Sequence, residues 1–162
     1  MWELRARKRI RLKDYDYSQA GRYFVTICVK DRHALLGKVD VGEHIVLPQL
    51  SEIGDIVDTS IKNIGGIYNS VVVDKYFIMP NHVHFILIIK SDGGSTMCSP
   101  TISRIIKQCK EYVTKRLGYS IWQTSFHDHI IRDESEYQRI WQYIDKNPEK
   151  WQEDCYFVKR SI

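Results

Sequence analysis

Apolar and polar positions change their spacing several times along the 162-residue chain, and each change marks an element. Residues 22–29 (RYFVTICV) form a nearly unbroken run of β-branched and aromatic side chains, as a buried strand requires. A short extended piece is expected at 44–47. Leu50, Ile53, Ile56, Val57, Ile61 and Ile64 then recur at steps of three and four, one face of an amphipathic helix that Gly65-Gly66 is expected to stop. Residues 70–79 and 82–90 read as two strands separated only by Pro80-Asn81, a hairpin or a bent pair. Residues 91–99 (SDGGSTMCS) are loop by composition. Ile102, Ile105, Ile106, Cys109, Val113 and Leu117 predict a second helix, ended by Gly118. Short extended pieces are expected at 122–126 and 128–131. Asp133 or Ser135 can cap a last helix that runs to about Asn147, with Pro148 beyond it.

Strands interleaved with two amphipathic helices predict an α+β fold: a ferredoxin-like antiparallel sheet with helices packed on one face, plus a C-terminal helix. The length suits a single domain over 1–162 with a basic N-terminal arm at about 1–20. A net charge of +4 is a mild excess, but its distribution is uneven. Arg5, Arg7, Lys8, Arg9, Arg11 and Lys13 crowd the arm, and Arg104, Lys107, Lys110, Lys115 and Arg116 share one helical stretch. Such runs serve either as solvated faces or as phosphate contacts. Four cysteines (Cys28, Cys98, Cys109, Cys155) without a CxxC pair argue against a zinc ribbon or a disulfide framework and fit reduced thiols. No apolar run is long enough for a membrane span, and the N-terminus lacks a signal peptide's apolar core, so a cytoplasmic protein is expected.

The chemistry concentrates in two places. In Pro80-Asn81-His82-Val83-His84-Phe85, strand alternation puts His82 and His84 on one face and Val83 and Phe85 on the other. Two imidazoles side by side are half of a divalent-metal site, and equally the pattern of two hydrogen-bonded histidines at a strand start. In Tyr143-Ile144-Asp145-Lys146-Asn147-Pro148, Tyr143 and Asn147 lie one helical turn apart on a common face, while Ile140 and Ile144 form an adjacent stripe that can anchor the helix to the sheet. His127 and His129 make another alternating pair and a rival metal site. Tyr137 is a rival to Tyr143 on the same helix.

The order YFVTICV, MPNHVHFILI, WQTSFHDHIIRDESEY and YIDKNPEKW resembles the single-tyrosine transposases of the HUH endonuclease superfamily, especially the subgroup associated with bacterial repetitive extragenic palindromes. The likeness spans roughly residues 20–151. It implies that His82 and His84 are metal ligands, that Asn147 completes the metal site, and that Tyr143, on the C-terminal helix, is the nucleophile. The tyrosine of the Tyr-Ile-x-x-Asn-Pro motif falls on Tyr143; Tyr137 lacks the Asn-Pro sequel. The activity implied is nicking and rejoining of single-stranded or hairpin DNA through a 5′-phosphotyrosine link. Two imidazoles and an amide are all neutral and leave the charge of Mg²⁺ or Mn²⁺ undiminished, which favours either over Zn²⁺. Lys107, Lys110, Lys115 and Arg132 are the candidate DNA contacts. Two other readings stand beside this one: a non-catalytic ferredoxin-like binder of single-stranded nucleic acid, and a metal-dependent phosphodiesterase that uses water. Relatives of this kind act as monomers or as homodimers, and both forms stay open.

Overall fold

The structure, a computed structural model, describes residues 14–41, 46–91 and 100–158. Most of the basic arm, the start of the extended piece at 44–47, and the loop at 92–99 with Cys98 lie outside the described residues. Four antiparallel strands form the main sheet in the order β4-β5-β1-β6: β1 Gly21–Cys28, β4 Val71–Met79, β5 His82–Ile89 and β6 His127–Ile131. With helices α1 (Glu52–Lys62) and α3 (Ile102–Leu117) this is the ferredoxin-like βαββαβ path. A hairpin of β2 (Gly37–Val41) and β3 (Val46–Leu50) is inserted after β1. Among the described residues no helix is long and apolar enough to cross a membrane.

Strand alternation sorts the apolar side chains into two cores. Tyr23, Val25 and Ile27 of β1 and Val83, Phe85, Leu87 and Ile89 of β5 point to one face, where Val57 and Ile61 of α1 and Ile105, Ile106 and Val113 of α3 cover them. The opposite face is smaller. There Ile86 and Ile131 meet Ile144 of α4 (Glu134–Lys146), with Phe24, Phe77, Ile140 and Trp141 around them.

The three long helices begin where the sequence can satisfy their free N–H groups. Ser51, Thr101 and Asp133 accept from the backbone N–H three residues on in α1, α3 and α4. Gly118 ends α3 in the left-handed conformation, with φ of 81°. The expected glycine stop of α1 is different: the helix ends at Asn63, and Gly65-Gly66 lie inside a four-residue helical turn, α2 (Ile64–Ile67). Asn63 serves as the junction because its backbone N–H still reaches the Thr59 carbonyl, while α2 restarts on Ile64, whose side chain enters the main core.

α4 is fastened to its own sheet. The β4–β5 register shifts between Val73 and Lys75, and bulges of this kind re-aim side chains. Asp74 accepts the Tyr137 hydroxyl at 2.6 Å, and Lys75 both pairs with Asp145 at 2.5 Å and lies 3.9 Å from the Trp141 ring centre. Arg22 pairs with Glu134 at 2.7 Å and covers the Tyr137 ring.

Candidate metal and tyrosine site

His82 and His84 open β5 on the face that α4 covers, and both are buried, at 0% and 2% exposed. Their Nε2 atoms lie 3.0 Å apart. Outer partners set each ring. The Asn81 amide donates to the carbonyls of Arg32 and Tyr156, at 3.2 and 2.8 Å, so its Oδ1 faces His82 Nδ1 at 2.8 Å and accepts that N–H. His82 Nε2 is therefore unprotonated and can only accept, with His84 Nε2 as its 3.0 Å neighbour. His84 Nδ1 pairs with the Thr26 hydroxyl at 2.7 Å. Burial, reinforced by Arg32 for His82 and by the neighbouring imidazole for His84, lowers both pKa values to about 3 and keeps the rings neutral at pH 7.

Tyr143 comes to this pair from α4. Its Oη lies 3.4 Å from His84 Nε2, and its ring packs edge-on against Phe24. It remains 43% exposed. Burial of the rest of the phenol, with Asp154 and the Cys155 thiol nearby, raises its pKa to about 12, and Asn147 opposes the shift. Asn147, one turn on, is 4% exposed; its Nδ2 donates to Asp154 Oδ2 at 2.7 Å, and its buried Oδ1 has no hydrogen-bond partner. Tyr143, Asn147 and Asp154 line a cavity of about 370 Å³ together with Arg139, Lys146 and Lys150.

Asp154 completes the group. His82, His84 and Asp154 each offer a ligand atom, all within 4.8 Å of one another, the one such trio among the described residues. The residues present fit a divalent ion. Two ligands at right angles, each about 2.1 Å from an octahedral ion, stand about 3 Å apart; the two imidazole Nε2 atoms are 3.0 Å apart, and the Asn147 oxygen is a further ligand atom with no hydrogen-bond partner among the described residues.

Sequence reasoning brings His82, His84, Tyr143 and Asn147 to one place, and the structure holds them together. Tyr137 is turned to Asp74 and Arg22 instead. His129 donates to Glu136 at 2.6 Å, and Glu136 also accepts the Arg132 N–H, so this histidine ties β6 to the start of α4. His127 is exposed at the sheet edge, opposite Thr26. Lys107 and Lys115 sit on α3, on the other side of the sheet from the histidines, beside a groove of about 440 Å³. Lys110 donates to the carbonyls of Gln123 and Ser125, at 2.7 and 3.0 Å, and clamps that loop. Arg132 is exposed between β6 and α4. Asp154, Thr26 and the cations of the α4 cavity were missed. For Asn81, adjacency to His82 was an available signal; for Arg139 and Lys146, a shared side of the tyrosine helix was.

A fold of this topology has solved counterparts. A REP-associated tyrosine transposase bound to a REP hairpin superposes with a TM-score of 0.66, at 20% identity, over 87% of this chain and 74% of that one. A candidate transposase from Deinococcus radiodurans R1 superposes with a TM-score of 0.50, at 19% identity, over 84% and 95%. The chain has the tyrosine-transposase fold. It belongs to one family with an uncharacterized protein of Haemophilus influenzae strain Rd, 34% identical over a 172-residue alignment that covers 94% of this chain and 93% of the other. No protein-family model matches the chain.

Proposed function

We propose that the protein is a transposase-type endonuclease that nicks and rejoins single-stranded or hairpin DNA, with Tyr143 as nucleophile beside a divalent metal on His82, His84 and Asn147. The observation that carries this reading is the convergence of Tyr143 Oη on His84 Nε2, at 3.4 Å, beside a neutral imidazole pair. The fold neighbour bound to a hairpin supports DNA as the substrate class.

In the step proposed, Tyr143 Oη gives its proton to solvent, to which the residue is 43% exposed, and attacks the scissile phosphorus. The Oη–P bond forms as the P–O3′ bond breaks, and the departing 3′ oxygen takes a proton from solvent to become a hydroxyl. The phosphotyrosine conserves the ester, so the 3′-OH of another strand can displace Tyr143 and join strands without ATP. A phenol whose pKa stands at about 12 is a weak nucleophile at neutral pH; a bound Mg²⁺ or Mn²⁺ supplies the charge neutralisation that such an attack on an anionic diester needs. Arg139, Lys146 and Lys150 add positive charge along the cavity that Tyr143 lines, and suit the phosphates of the strand to be cut. Lys107, Lys115 and Arg132 are proposed as contacts for DNA outside the reacting segment.

Incubation with labelled hairpin DNA and Mn²⁺ tests the reading. We expect a covalent protein–DNA adduct in the wild type and in Tyr137→Phe, and none in Tyr143→Phe. Cleavage that survives Tyr143→Phe without an adduct would indicate water as nucleophile, and binding without cleavage a non-catalytic module; either refutes the proposal.

A further inference from the structure

We infer that Asp154, in the C-terminal segment, is a ligand of the metal held by His82 and His84, and that Asn147 Nδ2 positions it. The inference rests on the reading of that site as a metal centre and extends it to a segment that belongs to neither the sheet nor α4.

The surroundings of Asp154 suit a bound cation. The Asp154 side chain is only 2% exposed and its Oδ2 lies 3.9 Å from His82 Nε2. That nitrogen is unprotonated, because the Asn81 oxygen takes the proton on Nδ1. A carboxylate oxygen and an unprotonated imidazole nitrogen therefore lie on the same side of the site, 3.9 Å apart. Two hydrogen bonds hold the carboxylate, from Asn147 Nδ2 to Oδ2 at 2.7 Å and from the Tyr156 N–H to Oδ1 at 2.8 Å. Among the described residues no lysine or arginine ion pair reaches it. Buried carboxylates are ordinarily paired with a cation or bound to a metal, and a divalent ion shared with His82 and His84, whose ligand atoms lie within 4.8 Å of that of Asp154, would supply that partner.

The segment is built to hold Asp154 there. Arg32 donates to the Cys155 carbonyl at 3.1 Å, Asn81 donates to the Tyr156 carbonyl, and the Tyr156 ring lies against His82 with centres 4.4 Å apart. Asn81 thus fixes both the His82 tautomer and the turn that carries Asp154. Two imidazoles and one carboxylate form a set with a net charge of −1, where His82, His84 and Asn147 alone are neutral. Such a set holds first-row divalent ions while leaving positions open.

Binding of Mn²⁺ to the full-length protein without DNA, followed by the loss of the free-ion electron paramagnetic resonance signal, tests this. The wild type should bind, and His82→Ala should lose binding; failure of either expectation refutes the metal-site reading itself. Given that binding, Asp154→Asn should weaken it at least tenfold while its metal-free melting curve stays close to that of the wild type, and Co²⁺ in this variant should show a shifted visible absorption band. Asp154→Ser serves as the second variant if the asparagine disturbs the turn. Wild-type affinity and an unchanged Co²⁺ spectrum in both variants would overturn the inference and leave Asp154 as a residue that only covers the site.

Discussion

The small core beneath α4 makes the attachment of the tyrosine helix a quantity that one substitution can change. Ile144 is wholly buried between Ile86 and Ile131. Replacing it with alanine removes three buried carbons, about 2.4 kcal/mol of transfer free energy, and leaves a cavity; the total expected is about 3 kcal/mol. Polar ties do not compensate, because the pairs Lys75–Asp145, Tyr137–Asp74 and Arg22–Glu134 involve partly or largely exposed groups that are screened by solvent. The main core lies on the far side of the sheet and shares none of the three isoleucines. The loss should therefore fall on local undocking of α4 rather than on global unfolding. Hydrogen exchange read by mass spectrometry should show α4 amides exchanging on the order of a hundredfold faster, with β1 and β5 little changed. Adduct formation at Tyr143 should fall in parallel, since the phenol is then away from His84 for more of the time. Equal acceleration in α4, β1 and β5 would refute the reasoning, because it would make the two cores a single cooperative unit; no acceleration would refute it as well.

Two further outcomes follow from the packing and the burial. A Cβ on Gly54 would stand 2.0 Å from the Leu36 carbonyl oxygen, so Gly54→Ala must push α1 away from the chain before β2 and should cost about 1–3 kcal/mol in urea denaturation; wild-type stability would show that the contact is loose. Metal-free protein should also lose stability in mild acid. With both imidazoles titrating near 3 when folded and near 6.5 when unfolded, the unfolded state alone takes up protons between those values, so stability is full above about pH 6.5 and falls as the pH drops toward 3. At pH 5 the loss should be on the order of a few kcal/mol for the pair together, and equal urea midpoints at pH 7.5 and 5 for the chelator-treated protein would contradict the burial described.

What the sequence discloses about this site is what periodicity can carry. His82 and His84 share a face because strands repeat every two residues, and Tyr143 and Asn147 because helices repeat every 3.6; these statements hold wherever the elements lie. The same rule separates the two cores, since Val83 and Phe85 must face away from the histidines. Where no regular element intervenes, the reasoning fails for a physical reason. The β2–β3 hairpin carries no clean apolar face, and only its second strand overlaps the piece expected at 44–47. Lys110 counts as one cation among five on a helix until the backbone of Gln123 and Ser125 turns out to lie beside it. Asp154 follows Pro148 in a turn whose direction depends on contacts with Arg32 and Asn81, more than 70 residues away. A ligand delivered by a turn is specified by tertiary contacts rather than by local spacing, so the half of the candidate site on β5 and α4 was legible and the half on the C-terminal segment was not. The division has a functional counterpart. Groups fixed by regular elements persist whenever the sheet and α4 are folded, whereas Asp154 stays in place only while the segment remains docked, so occupancy of the metal site and docking of that segment should stabilise each other.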